Sequence, residues 1–130
     1  MKKLFDVLTK IFKGSFLSKW RKVVLYAELS ENGYDISFYC FKDELSVPVQ
    51  CYDMERFGVK ETTINDTIDK VYEALKPFWN GSVKSDKGAW TNCTFILTKN
   101  ECSMDVDYTD LVDCAYEYRE QWKKRYLEHG

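Results

Sequence analysis

The sequence predicts an α+β domain: an antiparallel sheet of about five strands packed with three helices, in the order αβββαββα. Three observations carry this. The pair Asn32-Gly33 separates two apolar runs, two alternating segments flank Lys99-Asn100, and three stretches with helical apolar spacing lie before, between and after these hairpins. With 130 residues, 45% of them hydrophobic and 16% aromatic, the chain has material for one real core, so residues 1–130 read as a single domain.

Leu4, Phe5, Leu8, Ile11 and Phe12 share one helical face, while Lys2, Lys3, Lys10 and Lys13 fall mostly elsewhere and Gly14 stops the pattern. Residues 1–13 therefore form an amphipathic helix, read as a lid on the core. Residues 23–30 and 34–41 form the first hairpin. With Asn32 and Gly33 in the turn, Leu29 faces Ile36, Ala27 faces Phe38 and Leu25 faces Cys40 on the core side. The other side pairs Glu28 with Ser37, Tyr26 with Tyr39 and Val24 with Phe41, and reads as the wet face. A third strand is expected over residues 46–52, where Val47, Val49 and Cys51 alternate. Pro48 cannot donate to a ladder, so this strand belongs at an edge.

Thr63-Ile64-Asn65-Asp66 marks a helix start. Ile64, Ile68, Val71, Tyr72 and Leu75 then recur on one face, and Pro77 and Asn80-Gly81 are expected to end the helix, leaving 81–88 as a polar loop. Trp90 opens the second hairpin, residues 91–98 and 101–108. Leu97 faces Cys102, Phe95 faces Met104 and Cys93 faces Val106, whereas Thr94 faces Asp105 and Asn92 faces Asp107. A last helix spans about 111–127, with Leu111, Ala115, Tyr118, Trp122 and Tyr126 in a stripe.

The chemistry excluded is as informative as the fold. The only histidine is His129, so a Ser/His or Cys/His nucleophilic pair lacks its base. Phosphate-loop, dinucleotide and zincin motifs are missing, and the expectation is a non-enzyme without cofactor. Five cysteines, Cys40, Cys51, Cys93, Cys102 and Cys114, form an odd set without a C-x-x-C pair, which reads as reduced thiols serving as small apolar groups. Polar residues such as Asp6, Thr9, Lys10 and Lys13 break the first apolar run. The chain is therefore expected to carry neither signal peptide nor membrane span, and to reside in the cytoplasm.

Net charge is −2 but unevenly spread. Residues 1–27 hold seven bases and one acid, whereas residues 28–120 hold nineteen acids and nine bases. Such a body repels nucleic acid and attracts basic partners. The acids concentrate in Glu101, Asp105, Asp107, Asp110, Asp113, Glu117 and Glu120, with Arg119 as the single base among them. Asp105 and Asp107, with Asp110 and Asp113 behind, also have the donors for a hard divalent ion, although no lysine stands at strand spacing for a hydrolase. If the two hairpins share a sheet, Tyr26, Glu28 and Tyr39 join Asp105 and Asp107 on one side. Aromatic anchors among carboxylates suit a basic protein surface. The alternative is that the last helix covers this face and the tyrosines are core.

Three blocks of residues resemble the YezG-like antitoxin or immunity family: 20–28 (WRKVVLYAE), 90–95 (WTNCTF) and 104–111 (MDVDYTDL), with the tyrosine-rich helix 116–126 similar as well. The resemblance covers roughly residues 20–126. The first helix is more basic than in the family and lacks the proline that usually precedes the counterpart of Trp20, and residues 42–61 are only loosely similar. It implies a cytoplasmic protein that binds and neutralises the nuclease domain of a large toxin exported by a type VII secretion system. On that reading Tyr26, Glu28, Tyr39, Asp105, Asp107, Asp110, Asp113 and Glu117 form the toxin-facing surface. A protein-interaction adaptor unrelated to toxins would share the acidic face, and a metal-dependent hydrolase would need an ion at the aspartates.

Overall fold

The computed structural model describes residues 2–14, 16–43 and 47–128. Along them run α1 (Lys2–Lys13), β1 (Lys22–Ser30), β2 (Gly33–Phe41), β3 (Val49–Gln50), a 3₁₀ helix (Cys51–Phe57), α2 (Glu61–Val83), β4 (Asn92–Thr98), β5 (Cys102–Asp107) and α3 (Ala115–Tyr126). The strands form one antiparallel sheet in the order β3-β2-β1-β4-β5, so β1 and β4 join the two hairpins at its centre. The α+β architecture is the one the sequence predicts.

The main core lies on one face of this sheet. Val23, Leu25, Ala27, Phe38, Cys40, Phe95 and Leu97 meet Leu8 and Phe12 of α1 and Ile64, Ile68, Val71 and Leu75 of α2. Phe12 packs edge-on against Phe38, with ring centroids 5.2 Å apart, and Phe16 does the same at 5.1 Å. The first helix is thus a lid on the core, with Leu4, Phe5 and Ile11 partly buried at its rim. A second, smaller cluster of Val24, Tyr26, Phe41 and Trp122 lies on the opposite face, under α3. That is why β1 is buried without interruption from Val23 to Ala27: both of its faces are covered. The face read as wet is covered in its middle.

The second hairpin has the expected register, with Leu97 opposite Cys102, Thr94 opposite Asp105 and Asn92 opposite Asp107. The first hairpin differs. Ser30 pairs with Gly33, Ala27 with Ile36 and Leu25 with Phe38, so the turn residues are Glu31-Asn32 and every pairing slips by two. A turn centred on Asn32-Gly33 needs positive φ at both, and neither has it. Instead Ser-Glu-Asn-Gly supplies Ser and Gly at the first and last positions of a type I turn, and the Ser30 hydroxyl reaches the Gly33 carbonyl at 3.3 Å. An even slip keeps the same side chains on the core face, so the burial pattern survives it.

Three element boundaries also differ. The edge strand shrinks to Val49–Gln50 within the described residues, because the Gln50 side chain accepts the Tyr52 N–H at 2.8 Å and starts the 3₁₀ helix at Cys51, which Gly58 ends at φ 89°. The second helix runs on through Pro77 and Gly81 to Val83, with the Gly81–Val83 part of the expected loop helical. Tertiary contacts hold that last stretch: Trp79 Nε1 donates to the Trp90 carbonyl at 2.8 Å, and Phe78 packs on the Trp90 ring. The third helix starts at Ala115 and not at Leu111, because the Asp110 carboxylate accepts the Val112 N–H at 3.0 Å and holds a non-helical turn there. Of the cysteines, Cys40, Cys51 and Cys93 are buried free thiols, while Cys102 is exposed and Cys114 intermediate. Burial pushes the Cys93 thiol up to about 12.

Candidate functional site

The second face of the sheet assembles around α3. Trp122, only 6% exposed, is the single buried residue of that helix. Its indole N–H donates to Thr94 Oγ1 at 2.8 Å, and its ring lies 4.8 Å from Tyr26, 5.8 Å from Tyr39 and 5.3 Å from Tyr126. One turn earlier, Tyr118 donates its hydroxyl to Asp107 Oδ2 and lies 3.0 Å from Asn92 Oδ1. Arg119 grips Glu28 with Nε and Nη2, each at 2.6 Å, and reaches Asp35 at 3.4 Å. An indole, a phenol and a guanidinium on successive turns therefore tie α3 to β1, β4 and the end of β5.

This arrangement sorts the eight residues read as toxin-facing. Tyr26 is 5% exposed, lies beneath Trp122 and donates to Glu28 Oε2 at 2.6 Å. Burial, then the neighbouring Glu28, raise its phenol well above the ordinary value. The expectation that Tyr26 is an anchor on a wet face is corrected, because α3 leaves it almost no surface. Glu28 is the centre of the latch and not an open carboxylate. Burial alone would raise its pKa, but hydrogen bonds from Arg119 and Tyr26 and the guanidinium charge outweigh that and hold it below the usual range.

Asp107 is likewise engaged. Its carboxylate accepts the Tyr118 hydroxyl, the Thr109 hydroxyl at 2.9 Å and the Tyr108 N–H at 2.8 Å. The Tyr118 hydrogen bond is the largest influence holding its pKa down, and the same contact, after burial, pushes Tyr118 up to about 12. Asp105, two residues earlier on the same strand face, is exposed, as are Asp110, Asp113 and Glu117. Tyr39 is half-buried on the other flank of α3. The eight residues thus lie around one helix but divide into a latch of Tyr26, Glu28 and Asp107, an open rim of Asp105, Asp110, Asp113 and Glu117, and a half-buried Tyr39 against Trp122.

Two grooves flank α3. One of about 380 Å³ runs between α3 and β5, lined by Asp105, Asp107, Tyr118, Gln121, Arg125 and Tyr126 among others. The other, about 280 Å³, lies over Asp35, Tyr39, Tyr116, Glu120 and Lys123. Sequence reasoning missed Arg119 as a latch residue, although a lone base among seven acids was the signal for it. It also missed Val112 and Tyr116, 84% and 75% exposed, which set apolar surface among Asp113 and Glu117. Among the described residues, no group of three or more His, Cys, Asp or Glu side chains is placed to hold a metal ion. No described helix is long and apolar enough to cross a membrane.

A family model described as YezG-like immunity protein matches residues 1–129. The chain belongs to the YezG-like immunity protein family. The match includes the basic first helix and residues 42–61, the parts with least visible resemblance in the sequence. Immunity protein YezG of Bacillus spizizenii (strain ATCC 23059 / NRRL B-14472 / W23) is 26% identical over 97 residues, which cover 73% of this chain and 60% of that protein. The chain therefore spans about 60% of the length of this curated relative.

Proposed function

We propose that this YezG-like chain is a cytoplasmic immunity protein that binds a cognate secreted toxin and neutralises its nuclease domain without catalysis of its own. Membership of an immunity family carries the proposal. The exposed carboxylates of Asp105, Asp110, Asp113 and Glu117, set with Tyr39, Tyr116 and Val112 around α3, support its location. A nuclease offers phosphates a basic cleft, and an inhibitor competes by offering carboxylates in their place. Charge of this kind accelerates encounter, while aromatic side chains losing water supply most of the affinity. Glu28 and Asp107 act indirectly, by fixing α3 against the sheet. Export of the toxin by a type VII system belongs to the same proposal.

The test is co-expression with the C-terminal domains of toxins encoded beside the gene, scoring survival and a stable complex. The wild-type chain should rescue growth, and the double charge reversal Asp105→Lys with Asp113→Lys should lose rescue while keeping the wild-type melting temperature. Full rescue by a folded double variant removes the acidic rim from the mechanism. Failure of the wild-type chain against every neighbouring toxin removes the immunity function itself.

A further inference from the structure

Building on the toxin-binding reading above, we infer that the outer edge of β5 receives an extended, basic segment of the toxin as an added antiparallel strand. β5 closes one side of the sheet, and β4 is its only strand neighbour among the described residues. It contains no proline, and its pairing with β4 runs from Cys102 to Asp107 without a bulge, so two of the devices that blunt an exposed edge are missing from it. The Thr98 N–H bonds the Glu101 carbonyl at 2.9 Å, which fixes the phase of the ladder. Odd-numbered residues from 101 to 107 thus turn their backbone groups toward β4, and the N–H and C=O groups of Cys102, Met104 and Val106 point outward. That is a row of donors and acceptors ready for another chain.

The side chains say what kind of chain fits. On the α3 side of the new strand, residues opposite Asp105 and Asp107 would occupy non-hydrogen-bonded pairs, where cross-strand side chains come closest. Lysine or arginine belongs there, beside the 380 Å³ groove that continues toward α3. Arg125, at the groove's far side, is held over the Tyr126 ring at 5.2 Å. On the other side, the partner would add apolar residues against Met104 and Val106, which are partly buried at the rim of the main core. The occupant is therefore a strand alternating basic and apolar residues. A second copy of this chain fits badly, because antiparallel pairing of β5 with itself sets Asp105 opposite or diagonal to Asp105 or Asp107 of the other copy, and like charges across strands repel. The open part of β2 is a weaker edge for a basic strand, since its Asp35 is already paired with Arg119.

Residue-resolved amide hydrogen exchange tests this on the full chain, alone and in complex with the neighbouring toxin domain that co-purifies with it. The amides of Met104 and Val106 should slow at least tenfold on complex formation, while those of Ser103 and Asp105, already bonded to β4, should change little. A complex in which Met104 and Val106 exchange as in the free chain overturns the added strand and leaves toxin binding standing. If no neighbouring toxin domain binds, the reading beneath the inference falls and the inference falls with it. Protection that instead grows with concentration in the chain alone would mean self-pairing, and would also overturn it. Met104→Pro, which removes one outward N–H, should weaken toxin binding at least tenfold with an unchanged circular dichroism spectrum. Unchanged affinity in that folded variant refutes the strand, and should it fail to fold, the exchange measurement decides.

Discussion

Trp122→Ala is the sharpest test of how the α3 face is held. Truncating a buried Trp costs about 3–5 kcal/mol, and here the loss includes ring contacts to Tyr26, Tyr39 and Tyr126 and the hydrogen bond to buried Thr94. In a domain of this size each kcal/mol lowers the melting temperature by about 3–5 °C, so simple additivity predicts a drop of roughly 9–25 °C. A ceiling applies, however. Trp122 is the only buried residue of α3, whereas the main core lies across the sheet. Once its anchor is gone the helix should detach before the sheet unfolds, and the global loss stops at the free energy that docks α3. Melting combined with amide exchange separates the two contributions: α3 amides should approach free exchange while those of β1 and β4 stay protected. A drop under about 3 °C with α3 still protected would refute the anchoring role of Trp122. Parallel loss of protection in β1, β4 and α3 would refute the separability of the layer.

Glu28→Gln tests the ion pair through pH. The folded Glu28 carboxyl lies below its ordinary value, so its stabilisation is complete above the unfolded pKa of about 4.3 and disappears as pH falls through the folded one. The variant should be less stable at pH 7 by about 1 kcal/mol, given solvent screening at the 40%-exposed Arg119 side chain. The gap between the melting curves should shrink as pH falls below about 4.3 and close once pH is below the folded pKa, and a gap that does not shrink with falling pH would mean that packing and not charge is lost. Tyr118→Phe should cost about 1 kcal/mol and move the Asp107 pKa upward, read by an NMR titration of its carboxyl; an unmoved Asp107 contradicts the contact. Gly33→Ala checks the turn. With no positive φ and nothing within 4 Å of an added Cβ, it should be neutral or stabilise by up to about 1 kcal/mol, whereas a turn centred on Asn32-Gly33 would make it destabilising by about 1–2 kcal/mol.

Much of the fold was legible in the sequence, for reasons that also explain the misses. The second hairpin could be read to the residue because the two-residue Lys99-Asn100 link sets its register, while alternation sets that Cys93, Phe95 and Leu97 are the buried side chains. In the first hairpin the same alternation fixes only the parity of the pairing, so a two-residue slip is invisible to it. Pro77 is a local stop signal, and it lost to the packing of Trp79 and Phe78 on Trp90, which no local pattern encodes. The docking of α3 was harder still. The stripe of Tyr118, Trp122 and Tyr126 was legible, but only Trp122 is buried, and much of what binds the helix to the sheet is a set of polar tips: an indole N–H, a phenol and a guanidinium.

The same helix explains why the candidate site could be located but not resolved into roles. Asp105 and Asp107 have the same charge, strand and face, and a sequence offers nothing to tell them apart. Tyr118 does so, by reaching over the end of β5 to Asp107 and leaving Asp105 exposed. Arg119 makes the equivalent distinction for Glu28, whose carboxylate is spent inside the protein. Changes at Asp105, Asp113, Tyr116 or Glu117 should therefore alter the outer surface at little cost to folding, while changes at Glu28 or Asp107 loosen the platform that presents it. On the proposed function, a surface built this way can be refitted to a different toxin one exposed side chain at a time, because the groups that orient it are not the groups proposed to meet the partner.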